Sequence, residues 1–301
     1  MFFWRQEDIC WLGGYGFFSR MSDATLPVRL QLPDGFPPYI ASHQRSSPVA
    51  HLLSQALLTA SGTDGPLPGL VAPFHDPGVQ GGSVVSIGVP LSLPLGPCFD
   101  ALHSSARDLP FVLACAAASP GLPGATGSAS VAEAFASNLR SSTLLGLASE
   151  AAAAAALPPS RMQGALEQAL HGSGGAASGG HPAAALALRL TPLRLLLRAS
   201  QGGGEALAVV QEGLPPGTPL LAALAGALQR CSYLREAQGV ILCEEGGTPG
   251  THMAVLQGVE AACTPGLLAA AVGEVHAAAS QPDGWLYVAL RRAPGYGVLG
   301  L

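Results

Sequence analysis

Apolar and polar residues alternate along "LPVRLQL" (residues 26–32), with Val28, Leu30 and Leu32 set against Arg29 and Gln31. A period of two marks a strand with one buried face. "PYIASH" (38–43) follows the turn "PDGFP" and is placed to pair with it. "SSPVAHLLSQALLTA" (46–60) changes to a helical pattern, with Ser at its start and Pro48 in the first turn, where a missing N–H breaks no helical bond. "SVVSIG" and "VPLSLPL" (83–95) predict two short strands. "CFDALHSSA" predicts a short helix and "PFVLACAA" (110–117) a buried strand.

A Pro/Gly/Ser linker follows at 118–130, "ASPGLPGATGSAS". Ser130 and Glu133 then form S-x-x-E, a capping-box signature. Val131, Phe135 and Leu139 line one face of the helix that it opens. "SEAAAAAALPPSR" ends in a double proline, and "RMQGALEQALHG" restarts a helix that stops at Gly172. "GSGGAASGGHP" (172–182) is a second linker.

Beyond it the first pattern returns. "LALRLTPLRLLLR" and "EALAVVQ" predict strands either side of "QGGG". "TPLLAALAGALQR" (218–230) predicts a helix capped by Thr218. "QGVILCE" and "HMAVLQG" predict strands, "TPGLLAAAVGEVHAA" a helix opened by Thr264 and Pro265, and "GWLYVALR" the last strand. Strand, strand, helix, strand, strand, helix, strand thus occurs twice around a helical middle, and that order is the ubiquitin-like roll. The expected fold is α+β: two ubiquitin-like β-grasp domains, 26–118 and 183–292, flanking a helix-rich domain with flexible linkers at 119–182. A divergent segment (1–25) precedes them and a tail (293–301) follows.

Composition narrows the function. The chain has 301 residues, 49% of them hydrophobic and 11% charged, against roughly 25% charged in an average soluble domain. All 14 basic residues counted as Lys+Arg are arginines. Abundant Gly, Pro and Ala fit a GC-rich genome as the source of that bias. A net charge of −5, with no basic stripe, gives no footprint for nucleic acid. The six cysteines (Cys10, Cys98, Cys115, Cys231, Cys243 and Cys263) include no C-x-x-C pair. They read as reduced, buried thiols of a cytosolic protein. The start, "MFFWRQEDICWLGGYGFF", is interrupted by Arg5, Glu7 and Asp8 and makes a poor signal peptide. "ALALRLTPLRLLLRA" holds Arg189, Arg194, Arg198 and Pro192, a costly set in lipid.

Catalytic motifs are missing. There is no P-loop, no G-x-S-x-G and no H-E-x-x-H. "GYGVLG" (295–300) matches G-x-G-x-x-G with no room for a following helix. The eight histidines include none at metal-ligand spacing from another ligand. Cys98 and Cys115 both lie near His103, the arrangement of a Cys/His nucleophile, but their apolar surroundings read as core. Asp100, Glu133, Glu150 and Glu167 read as isolated acids on a solvated face. No catalytic, cofactor-binding or metal residue is expected.

Four stretches carry a resemblance to a known family. In "GVPLSLPLGPCFDALHSSARDLPFVLAC" the residues Pro94, Gly96, Phe99, Asp100 and Leu102 fall in register with it. "SVAEAFASNLRSS" is similar to its first middle helix, and "LRLTPLRLLLR" aligns Arg189, Pro192 and Arg194 with a strand. "VLQGVEAACTPGLLAAAV" with "PDGWLYVALR" resembles its terminal unit. Together they resemble the autophagy-related protein 5 family, from about residue 26 to residue 291. Members usually carry Trp-x-Gly-x-Ile/Leu-Pro ahead of the first strand; here the stretch reads "SDATLP", with Ser22 at the tryptophan position.

The resemblance implies a non-catalytic scaffold subunit of a ubiquitin-like conjugation system. In the family, autophagy-related protein 12 is joined through its C-terminal glycine to a lysine of the first middle helix. The product binds autophagy-related protein 16 and, working indirectly with autophagy-related protein 3, promotes transfer of autophagy-related protein 8 to phosphatidylethanolamine. The complex is cytoplasmic and peripheral at the preautophagosomal membrane. The position matching the conjugated lysine is Arg140. Isopeptide formation needs a neutral amine, and a guanidinium stays protonated with its lone pairs delocalised. Arg140 lies about 140° around the helix from Phe135, on the side expected to be exposed. The expectation is a non-covalent complex with autophagy-related protein 12. An ester or N-terminal amide linkage, a lineage that has lost conjugation, and a ubiquitin-like module of an unrelated assembly stand as alternatives.

Overall fold

The computed structural model describes residues 25–33, 35–62, 70–75, 84–102, 110–115, 127–172, 188–201, 204–231, 234–238, 240–243, 250–261 and 267–292. Its strands form one ten-stranded sheet. In chain order these are β1 (Thr25–Gln31), β2 (Tyr39–Gln44), β3 (Leu70–His75), β4 (Val84–Val89), β5 (Phe111–Cys115), β6 (Thr191–Gln201), β7 (Gly204–Leu214), β8 (His252–Leu256), β9 (Val259–Ala261) and β10 (Leu286–Arg292). The order across the sheet is β2-β1-β5-β3-β4-β7-β6-β10-β8-β9.

Each half repeats one pairing scheme. A leading hairpin (β1/β2, β6/β7) is antiparallel, and its first strand runs parallel to the last strand of its half (β5, β10). A second hairpin (β3/β4, β8/β9) lies antiparallel on the far side of that last strand. The halves meet where β4 runs parallel to β7, pairing Ile87 with Glu205 and Gly88 with Ala206.

Helices α1 (Val49–Ser61) and α2 (Leu95–Leu102) belong to the first half. Helices α6 (Leu220–Arg230), α7 (Arg235–Gln238) and α8 (Val272–Ala279) belong to the second. Between them lie α3 (Gly127–Leu147), α4 (Glu150–Ala156) and α5 (Pro159–His171). Phe135 and Leu139 of α3 pack with Leu157, Ala165 and Ala169, while Val131 joins the core of the first half. The face read from the sequence for α3 is therefore the buried one.

The leading helices of both halves start without a side-chain cap. Instead, the backbone of the loop ahead of the second helix meets their first-turn donors. Val49 N and Ala50 N donate to Leu93 O and Leu91 O, and in return Leu95 N donates to Ser47 O. The second half repeats the exchange, Leu220 N to Ala270 O and Val272 N to Thr218 O. Helix starts always leave N–H groups in need of acceptors; here two loops satisfy each other. The predicted cap Thr218 is displaced for this reason, since Pro219 holds the N-cap position.

Other expectations shift. "VPLSLPL" is not a strand: β4 ends at Val89, and residues 90–94 form the capping loop just described. The missing strand is β3, Leu70–His75. "QGVILCE" gives no strand over residues 240–243, and the second hairpin is "HMAVL" with "VEA", turning at Gln257 and Gly258. Helix α3 begins at Gly127, so Ser130 is not its cap. The last helix is split, a 3₁₀ turn at Leu267–Ala269 before α8. Thr264 and Pro265 lie outside the described residues, as do 1–24 and 293–301.

Candidate functional site

Helix α3 presents two opposite faces. Glu133, Ser137, Arg140 and Leu144 are exposed and recur at i, i+4, i+7 and i+11, a stripe on one side. Leu144 keeps 41% of its surface in water, so the stripe places an apolar side chain one turn from the Arg140 guanidinium.

The opposite face is clamped by buried polar groups. Asn138 donates through Nδ2 to Ser92 O (2.8 Å), and its Oδ1 accepts from Arg194 Nη2 (3.1 Å). Trp285 Nε1 donates to the Asn138 backbone oxygen at 3.0 Å. Arg194, on β6, also donates through Nη1 to the Tyr287 hydroxyl (2.9 Å), which donates onward to Asp283 Oδ2 (2.6 Å). The Arg194 guanidinium lies over the Trp285 ring, 4.2 Å from its centroid. Ser142 Oγ donates to Asp283 O at 2.6 Å. One helix is thereby fastened to the loop before β4's successor helix α2 through Ser92, and to β6 and β10 through Arg194, Trp285 and Tyr287.

The charges explain the need for so many partners. Burial pushes the Asp283 carboxyl up, and Arg194 and the Tyr287 hydroxyl oppose that. Burial also pushes the Tyr287 hydroxyl well up, so it stays a donor. Buried networks of this kind favour one geometry, because leaving it unpairs further polar groups. Asn138 and Ser142 are two residues either side of Arg140, so the clamp fixes the direction in which the stripe points.

A second clamp crosses between the halves. Arg45 Nη2 meets Asp100 Oδ1 at 2.5 Å, and Gly258 N donates to Asp100 Oδ2 at 2.8 Å. Asp100 is buried and paired, which overturns its reading as a solvated acid. The physical reason is that all eight residues of α2 are buried, since the helix lies between the two halves. Glu133, Glu150 and Glu167 are exposed as expected, and Glu167 accepts from Gln163 Nε2 at 2.9 Å.

Cys98 is fully buried in α2, and burial, with Asp100 nearby, pushes its thiol up. A thiol held protonated is a poor nucleophile. Cys115 is half-buried and shifted the same way. His103 lies outside the described residues. No cluster of three or more metal-ligating side chains occurs among the described residues, and none of their helices is long and apolar enough to cross a membrane. As a functional position on α3 the sequence reading singled out Arg140 alone. It missed Asn138, Ser142, Arg194 and Asp283 as partners; the sequence signal for Asn138 and Ser142 is polar residues falling on an otherwise apolar helix face, and Asp283, in the loop before β10, has none.

No family model and no curated protein sequence matches the chain. Among solved structures, the crystal structure of Kluyveromyces marxianus Atg5 superposes over 92% of this chain and 100% of its own, with a TM-score of 0.56. The chain has an Atg5-like fold. Sequence identity to that Atg5 is 14%, so the likeness is one of architecture. It spans both halves of the sheet and the helices between them, and Atg5 is accounted for along its whole length.

Proposed function

We propose that the chain is a non-catalytic scaffold subunit of the autophagy ubiquitin-like conjugation system, made of two ubiquitin-like β-grasp domains (26–118 and 183–292) flanking a helix-rich domain (119–182). The observation that carries this reading is the Atg5-like fold over 92% of the chain. The strand order repeated in each half agrees with it. In this reading autophagy-related proteins 12 and 16 bind the chain, and the assembly promotes lipidation of autophagy-related protein 8 through autophagy-related protein 3. It acts from the cytoplasm at the preautophagosomal membrane, held there through the complex.

The α3 stripe is the place where partner 12 meets this scaffold. Arg140 stands at the position of the family's conjugated lysine, exposed and aimed by the Asn138 and Ser142 anchors. A guanidinium keeps the positive charge and offers five donors, but it cannot attack a thioester. With no lysine anywhere in the chain, the contact is surface complementarity, for which an interface of roughly 1,600 Å² suffices.

Co-purification with tagged partners 12 and 16 tests the reading under native and denaturing conditions. Both partners are expected to co-elute in native buffer, with partner 12 lost in detergent and heat. A detergent-resistant adduct would overturn the non-covalent contact. Failure to bind partner 16 would overturn the scaffold assignment and leave an interaction module of another assembly.

A further inference from the structure

Three imidazoles meet where the C-terminal end of α5 rests on the first half. Along β2, Ile40 and Ser42 are exposed while Tyr39, Ala41 and His43 are half-buried, so His43 is on the helix side of the sheet. His51 lies in the first turn of α1, its ring centroid 6.1 Å from that of His43. His171 ends α5, and its charge acts on His51. The Tyr39 hydroxyl meets His43 Nε2 at 3.3 Å. The same end of α5 is tied to the loop before α1, where Ser46 Oγ donates to Ala169 O at 3.0 Å. The Gln44 side chain lies so close to Gly172 that a Cβ there would come within 3.1 Å of its Nε2.

The charges around these rings do not neutralise them. His51 is the one titratable group of α1, and β2 adds Tyr39 and His43. Helix α5 adds Arg161, Glu167 and His171, and Glu167 accepts from Gln163 Nε2. On α3, which packs against α1, Glu133 and Arg140 lie on the exposed stripe. Arg45, ahead of α1, is paired with Asp100, and Arg29 of β1 is exposed on the other face of the sheet. The charges that act on His51 are those of His43 and His171, both of its own sign.

We propose that this cluster is a proton-operated latch: with neutral imidazoles α5 stays closed over Phe135 and Leu139 of α3, and protonation of His43 and His51 releases it. Burial, then His43 and His171, bring His51 down to about 4 in the closed form, whereas a released ring titrates near 6.5. The open form therefore takes up protons first as pH falls. Closure is complete above about pH 7 and weakens as pH falls through 6.5 toward 4. At pH 5 His51 alone favours opening by at most about 30-fold, and by roughly tenfold once solvent screening of a half-buried ring is counted. The grip it works against is slight. The buried residues of α5 are Ala165 and Ala169, with Met162 and Leu166 partly buried beside Phe135, Leu139 and Leu157, and so little apolar area makes local opening easy. Helix α3 need not follow, because Asn138 and Ser142 fasten it to Ser92, Arg194 and Asp283.

Hydrogen exchange of the full chain at pH 7 and pH 5, corrected for the intrinsic pH dependence of amide exchange, tests the latch. Protection over residues 159–171 is expected to fall about tenfold at pH 5 while β6 and β7 keep theirs. His51→Gln is expected to hold α5 protection at pH 5 within about twofold of its value at pH 7. His171→Gln, at an exposed position where folding is not at risk, removes one of the two charges acting on His51 and is expected to reduce the fall. Equal α5 protection at both pH values in the wild type would overturn the proposal. So would a fall shared by β6 and β7, or one as large in the variants as in the wild type.

Discussion

Arg140 and Arg194 carry the same side chain into opposite settings. Arg140 stands in water on the α3 stripe, whereas Arg194 is 4% exposed and held through both terminal nitrogens by Asn138 and Tyr287, with the Trp285 ring beneath it. The first is replaceable and the second is not. Arg140→Lys is expected to leave stability within about 0.5 kcal/mol, as for other exposed positions. Under the proposed function it also places an amine where the conjugated lysine would stand. With partner 12, its activating and conjugating enzymes and ATP, the variant is expected to form a detergent-resistant adduct that the wild type does not. A gel with the same bands for both proteins would remove Arg140 from that role. Residues of the first kind were readable from helical geometry, since Arg140 faces away from Phe135. Residues of the second kind were not. Asp100 looks solvated from its neighbours in sequence, and its partners Arg45 and Gly258 lie 55 and 158 positions away.

At the scale of elements, backbone exchange replaces side-chain caps and explains which expectations moved. A strand pattern such as "VPLSLPL" alternates correctly, yet its carbonyls are taken by the first turn of α1 rather than by a neighbouring strand. Hydrophobic period located most of the strands and helices. It could not reveal β3, where Pro73 interrupts the run, nor the three-residue β9. The turn before β10 shows how tightly elements meet. Gly284 has φ +81°, and a Cβ there would sit 2.5 Å from Ser142 Oγ on α3. Gly284→Ala is expected to cost about 2–3 kcal/mol through strain and displacement of the Ser142 anchor. Gly164→Ala is its control: that residue is in α5 with nothing within 4 Å of the added carbon, and a gain of roughly 0.5–1 kcal/mol is expected. Urea titrations of the two variants check both signs. The seat of α5 also responds to pH. His43 and His51 lie with ring centroids 6.1 Å apart, beside Tyr39 of β2 and His171 of α5. Burial, then His43 and His171, bring His51 down to about 4, and burial lowers His43 as well. Their unfolded forms titrate near 6.5, so the unfolded chain takes up protons first. Stability is therefore complete above about pH 7 and is lost as pH falls toward 4. His51→Gln is expected to flatten that loss between pH 7 and 5, while every other titrating group stays common to both proteins. Parallel pH curves for wild type and variant would remove His51 as a contributor.

Across the whole molecule, the two halves share more than the β4–β7 seam. One hydrophobic cluster joins Val28, Leu30, Leu52 and Phe111 of the first half to Leu196, Leu207, Val255 and Tyr287 of the second. The Arg45–Asp100–Gly258 clamp lies across the same junction. A boundary with so much buried apolar area cannot open without exposing the core of both sides, so the halves are expected to unfold together. Breaking the clamp tests this, because the damage is local and the effect should not be. Asp100→Ala leaves Arg45 buried without its carboxylate and Gly258 N without its acceptor, a loss of about 3–5 kcal/mol. Hydrogen exchange should then show protection in β1 and β10 falling by equal amounts, although Asp100 belongs to neither strand. If β1 loosened while β10 kept its protection, the halves would be separate cooperative units joined by a weak seam. The paired change Arg45→Met with Asp100→Leu removes both charges at similar volume. Replacing a buried ion pair by apolar groups is often neutral, so the double variant is expected to be more stable than Asp100→Ala alone. That ordering would assign the loss in Asp100→Ala to the uncompensated guanidinium, and not to the missing carboxylate itself.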